Sequence, residues 1–90
     1  FYAQFIGKDD LCFDIGANVG NRVEVFLGLG ARVIAIEPQE VCIHVLREKF
    51  KNNDHFILIP KGLGETEGEV SMMISNEHII SSIFQAAVGQ

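Results

Sequence analysis

The chain has 90 residues, with seven Lys and Arg against twelve Asp and Glu and a formal charge of −5. Hydrophobic residues make up 48%, charged residues 21%, and mean hydropathy is +0.23, which excludes a disordered or low-complexity chain and bounds the fold at one small domain, residues 1–90. No apolar run approaches the ~20 residues of a membrane span, and an acidic chain with scattered cations is a poor binder of nucleic-acid phosphates, so neither a membrane nor a nucleic acid is expected as partner.

The chain opens on Phe1 without a basic segment followed by an apolar one, so no signal peptide is expected and the sequence reads as a fragment or a processed product. Leu11–Ile15 is a short apolar run broken only by Asp14 and ended by Gly16, and reads as a first strand. From Val19 to Leu29, apolar side chains at Val19, Val23, Phe26 and Leu27 mark one face of a helix, with Asn18 as its expected N-cap and Gly30 as its stop. Arg32–Ile36 is a second strand, and Glu37-Pro38 leads into a second helix over Glu40–Phe50, whose Cys42, Ile43, Leu46 and Phe50 share a face. Phe56–Ile59 is a third strand stopped by Pro60. A glycine-rich loop over Lys61–Gly68 and a fourth extended segment over Val70–Ile74 follow, and the spacing of Ile79, Ile80, Ile83 and Phe84 assigns no element.

Strands alternating with helices imply parallel pairing through right-handed crossovers, hence an α/β sheet buried on both faces. The fourth segment follows too short a loop for a crossover and is expected to hairpin antiparallel onto the third strand. The first strand is expected at an open edge, where it would recruit other chains or leave the fold poorly stable. Cys12 and Cys42 have no metal-ligand spacing and read as reduced core thiols, which points to a cytoplasmic setting. His44, His55 and His78 share no metal or triad spacing, and no metal is expected.

The stretch from Phe13 to Gly20 carries the chemistry. A turn of small residues between a strand and a helix lets a ligand approach backbone N–H groups, and in open α/β sheets ligands bind at the carboxyl ends of strands. Asp14, Gly16 and Gly20 sit there, and Glu37 closes the next strand 17 positions after Gly20, the place of an acid that accepts hydrogen bonds from ribose hydroxyls. The pattern does not suit a dinucleotide. Asn18 stands where a second glycine would admit a pyrophosphate, and Asp14 would repel one. Both fit an adenosine ligand with a cationic end, S-adenosylmethionine, with Asp14 drawing the cation and Asn18 offering a donor and an acceptor.

The string Asp14-Ile15-Gly16-Ala17-Asn18-Val19-Gly20-Asn21, then Ile36-Glu37-Pro38, then Pro60-Lys61-Gly62-Leu63-Gly64 with Gly68-Glu69, resembles the FkbM-type S-adenosylmethionine-dependent methyltransferases over about Asp9 to Ser82. The resemblance implies a Rossmann-like class I methyltransferase fold, truncated here to its first β-α-β-α-β half. It implies transfer of a methyl group to a hydroxyl oxygen of a sugar or small natural product, so a small-molecule or glycan substrate. It implies cofactor contacts from Asp14, Gly16, Ala17, Asn18, Gly20, Asn21, Glu37 and Pro38, with Gly62 and Leu63 at the adenine, and it places Ser81 and Ser82 near the family's active site. The strand and substrate half that follow in the family, with any catalytic base, lie outside these residues, so the catalytic residues are unknown and the chain alone is expected to be inactive. Two other readings stand beside this one: half of a nicotinamide-dependent oxidoreductase, which Asp14 and Asn18 disfavour, and a non-catalytic Rossmann-like interaction module.

Overall fold

A computed structural model of the chain describes residues 2–5 and 10–88. Four strands form one sheet in the order β1 (Tyr2–Phe5), β2 (Leu11–Ile15), β3 (Arg32–Ile36), β4 (Phe56–Ile59). The last three are parallel, with Leu11 beside Arg32 and Val33 beside Phe56, and β1 runs antiparallel to β2. Helices α1 (Asn21–Gly28) and α2 (Glu40–Phe50) make the two crossovers, and α3 (Leu63–Ser75) and α4 (Glu77–Val88) follow β4.

Period-two alternation sorts the strand side chains into two cores. Cys12, Val33 and Ala35 face one side with Ala17, Val23, Leu46 and Phe50, under α1 and α2. Leu11, Phe13, Ile34 and Ile36 face the other with Val70, Met73, Ile80 and Phe84 from α3 and α4. Both crossovers therefore lie on one face, and the chain changes face after β4. This is the α/β architecture expected from the sequence, a β-α-β-α-β parallel unit in three layers with the sheet in the middle.

Three expectations are corrected. Val70–Ile74 is not a hairpin strand: 63–75 is one helix, and Val70 and Met73, three apart, both face the sheet. Its start is fixed by Glu65, whose Oε1 accepts the Gly62 N–H at 3.2 Å. Asn18 is not the N-cap of the first helix, because Gly20 holds that place and α1 begins at Asn21. The first strand is not an open edge, because β1 pairs along it from Tyr2 beside Asp14 to Phe5 beside Leu11, so self-association through that edge falls with it. Helix α1 ends as expected near Gly30, in a left-handed turn (φ 87°) where Gly30 N–H donates to Leu27 O at 3.0 Å and Ala31 N–H to Phe26 O at 3.0 Å.

Candidate functional site

The parallel strands end in register, Ile15 beside Ile36 and Ile36 beside Ile59. The segments that leave them, 16–20, 37–39 and 60–62, therefore rise from one end of the sheet. Gly16 N–H and Ala17 N–H both turn onto Ile36 O, at 2.8 and 3.4 Å, and Glu37 N–H donates to Ile59 O at 3.1 Å. Pro38 Cβ lies 3.9 Å from where a side chain on Gly62 would begin, so the second and third loops touch. Of the residues the sequence singles out, Asp14, Gly16, Ala17, Asn18, Gly20, Asn21, Glu37, Pro38 and Gly62 all come to this end, and Leu63 opens α3 directly after Gly62.

The first loop holds three left-handed residues, Gly16 (φ 72°), Asn18 (φ 56°) and Gly20 (φ 88°). Ala17 between them is 3% exposed and anchors the loop in the core beneath α1 and α2. The two glycines serve different ends. A Cβ on Gly20 would stand 2.8 Å from both Leu46 Cδ2 and Phe50 Cε2, so Gly20 is where α2 presses on the loop. A Cβ on Gly16 would meet nothing within 4 Å, so space opens above it.

Glu37 is 4% exposed and its side chain bridges two loops: Oε1 accepts the Asn18 N–H at 2.7 Å and Oε2 the Gln39 N–H at 3.0 Å. Each oxygen keeps lone-pair capacity for one further donor. Asp14 is wholly buried at the end of β2. Its Oδ1 accepts from Arg22 Nε at 3.1 Å and Nη2 at 2.9 Å, while Oδ2 is buried with no hydrogen-bond partner among the described residues.

Three contributors escape the sequence reading. Arg22 pairs with Asp14 and also donates to Gly16 O at 2.9 Å. Lys49, read as part of a solvated helix face, donates to Val19 O at 3.2 Å and lies 3.6 Å from Glu24. Cys42 directs its thiol at Asn18 Oδ1, 3.3 Å away. The available signal was periodicity: positions 42, 46, 49 and 50 lie on one side of α2, and that side is the bed of the glycine loop. Cys12 and Cys42 are free thiols, as expected. Burial, then Asp10 and Asp14, push the Cys12 thiol above its ordinary pKa, so it is an inert core group.

Other candidates remain apart. Ser81 and Ser82 are exposed on α4, where Ser82 Oγ donates to His78 O at 2.9 Å, and His44, His55 and His78 are exposed. Among the described residues no group of three or more His, Cys, Asp or Glu side chains could hold a metal ion, and no helix is long and apolar enough to cross a membrane. A concavity of about 450 Å³ is lined by residues including Phe50, Asn53, Phe56 and Leu58 and contains none of the predicted site residues.

Over 55 residues, 61% of its length, the chain is 31% identical to a protein named probable ribosomal RNA small subunit methyltransferase A from Methanococcoides burtonii. The likeness is to a methyltransferase. The match takes in 20% of that protein, so the chain spans about a fifth of the relative it resembles. No family model matches the chain, so the relationship stands to methyltransferases in general and not to the FkbM type. No solved structure matches it. The expectation that nucleic acid is excluded as a partner is corrected here, because the relative's name gives ribosomal RNA as what it acts on. Net charge averages over the chain and does not by itself exclude a local anion-binding surface.

Proposed function

We propose that this chain is the cofactor-binding half of an S-adenosylmethionine-dependent methyltransferase. One observation carries the reading: Glu37 joins the glycine loop to the next loop at the carboxyl ends of the strands, beside a buried Asp14 with one oxygen lacking a donor. The likeness to a methyltransferase supports it. The residues fit such a ligand, since the unpartnered Asp14 oxygen suits a cationic head and the space above Gly16 leaves room for it. The unsatisfied carboxylate also disfavours a pyrophosphate, and so the nicotinamide reading.

When bound, S-adenosylmethionine supplies an electrophilic methyl group on a sulphonium. Asp14 would hold the cationic end. Glu37 would accept the ribose hydroxyls on its remaining lone pairs while keeping both backbone N–H groups. Gly16, Ala17, Asn18, Gly20 and Asn21 would set the loop against the ligand, and Pro38, Gly62 and Leu63 would line the adenine. These residues bind and orient; proximity and alignment supply much of the rate in such a displacement. Among the described site residues neither carboxylate is placed as a base, since Asp14 is wholly buried and paired with Arg22 and Glu37 is 4% exposed and holds two backbone N–H groups. The two free thiols agree with a cytoplasmic setting.

The acceptor has two readings. Transfer to a hydroxyl oxygen, as in the FkbM type, rests on motif resemblance, and transfer to ribosomal RNA on the relative's name. Calorimetric titration of the full-length protein with S-adenosylmethionine and with NAD tests the cofactor. Binding of the first alone is expected, and binding of NAD alone overturns the proposal. Transfer of labelled methyl to total RNA, or its absence, then separates the acceptors.

A further inference from the structure

We infer that Arg22 reads the carboxylate of the ligand's amino-acid head, so that Asp14 and Arg22 form one clamp for an α-amino acid zwitterion. The inference rests on the cofactor reading above and adds a residue that no motif points to. Arg22 stands in the first turn of α1, where the helix dipole disfavours a cation, so a local partner must hold it there. That partner is Asp14 Oδ1, reached by Nε and Nη2 at 3.1 and 2.9 Å, with Nη2 also on Gly16 O at 2.9 Å. The guanidinium is not used up. Its Nη1 has no partner among the described residues, and the side chain is 45% exposed while that of Asp14 is wholly buried.

A pair built only to neutralise a buried charge is stable when both carboxylate oxygens are satisfied. Here Oδ2 has no donor among the described residues. The pair therefore keeps a buried acceptor without a donor, and the Nη1 of Arg22 without an acceptor, among the described residues. An α-amino acid carries its ammonium and carboxylate on one carbon and fills both at once: the ammonium donates to Asp14 Oδ2 and the carboxylate accepts from the two remaining N–H groups of Arg22, both on Nη1. A phosphate would set like charge against Asp14, and a simple amine would leave Arg22 idle.

The test compares S-adenosylmethionine with its decarboxylated analogue, which keeps sulphonium and ammonium and lacks only the carboxylate, by calorimetry on the full-length protein. The analogue is the more cationic, so Asp14 and an acidic chain alone would bind it at least as well. The inference predicts the reverse, a preference for the carboxylate form of about tenfold or more. Arg22→Lys, which keeps a charge for Asp14 but has no second nitrogen to offer in place of Nη1, should narrow that preference to within about threefold. Equal or tighter binding of the analogue by the unaltered protein overturns the role of Arg22 and leaves the cofactor reading intact. Binding of neither compound overturns both.

Discussion

Removing the Glu37 carboxylate takes the acceptor from two backbone N–H groups, those of Asn18 and Gln39. Glu37→Ala should therefore lower stability by about 2 kcal/mol in urea unfolding, and weaken S-adenosylmethionine binding as well. A stability change near zero would show that the bridge between the loops does not hold in solution. The two loop glycines separate packing from ligand access. Gly20→Ala forces a Cβ to 2.8 Å from Leu46 and Phe50 at φ 88° and should destabilise by about 2–4 kcal/mol. Gly16→Ala meets no protein atom and should lose only the about 1–2 kcal/mol of a left-handed backbone, with a larger relative loss of cofactor affinity. Equal thermal shifts for the two variants would contradict that division. Cys12 gives a pH signature. Its thiol pKa is raised in the folded state, so the folded chain holds the proton more tightly than the unfolded one. The resulting stability is complete below the ordinary thiol value of 9.0 and declines as pH rises from there through the folded value. Urea midpoints for wild type and Cys12→Ala should diverge least above pH 9.0 if this sign is right, and a wild-type advantage that grows there would refute it.

At the scale of elements, the parallel half was legible in the sequence because each strand is a short, mostly apolar run: Leu11–Ile15, Arg32–Ile36 and Phe56–Ile59 match the structure residue for residue. Helix α2 was equally plain, since Cys42, Leu46 and Phe50 recur every fourth position. The start of α1 was hidden because Asn18 has the side chain of an N-cap but a left-handed backbone, which places it inside the loop. Helix α3 was misread because Gly64 and Gly68 suggest a loop and Val70–Ile74 is rich in apolar residues without a clear period. Its cap was visible in the distance from Gly62 to Glu65. Glu65→Ala should cost about 1 kcal/mol, read as a lower melting temperature, and an unchanged one would mean that packing of Val70 and Met73 alone fixes the helix. Strand β1 is four residues long and gains its hydrogen bonds only from β2, a tertiary cause with little local trace. Protected amides at Cys12 and Phe13 in hydrogen exchange would accord with that pairing, and rapid exchange would not. Arg22 and Lys49 escaped because a charged residue on an exposed helix face looks the same whether it meets solvent or a carbonyl of the glycine loop.

At the scale of the molecule, the fold brings three loops from distant parts of the sequence to one end of a parallel sheet, and the hydrogen bonds among Ile36, Glu37, Asn18 and Ile59 fix them relative to one another. The central claim is that these loops act as one binding site for S-adenosylmethionine. The direct measurement is amide hydrogen exchange of the full-length protein with and without saturating cofactor. The account predicts slower exchange in 16–21, 37–40 and 61–63 together. Binding that protects residues 47–58 around the separate concavity and leaves those three segments unchanged would contradict it.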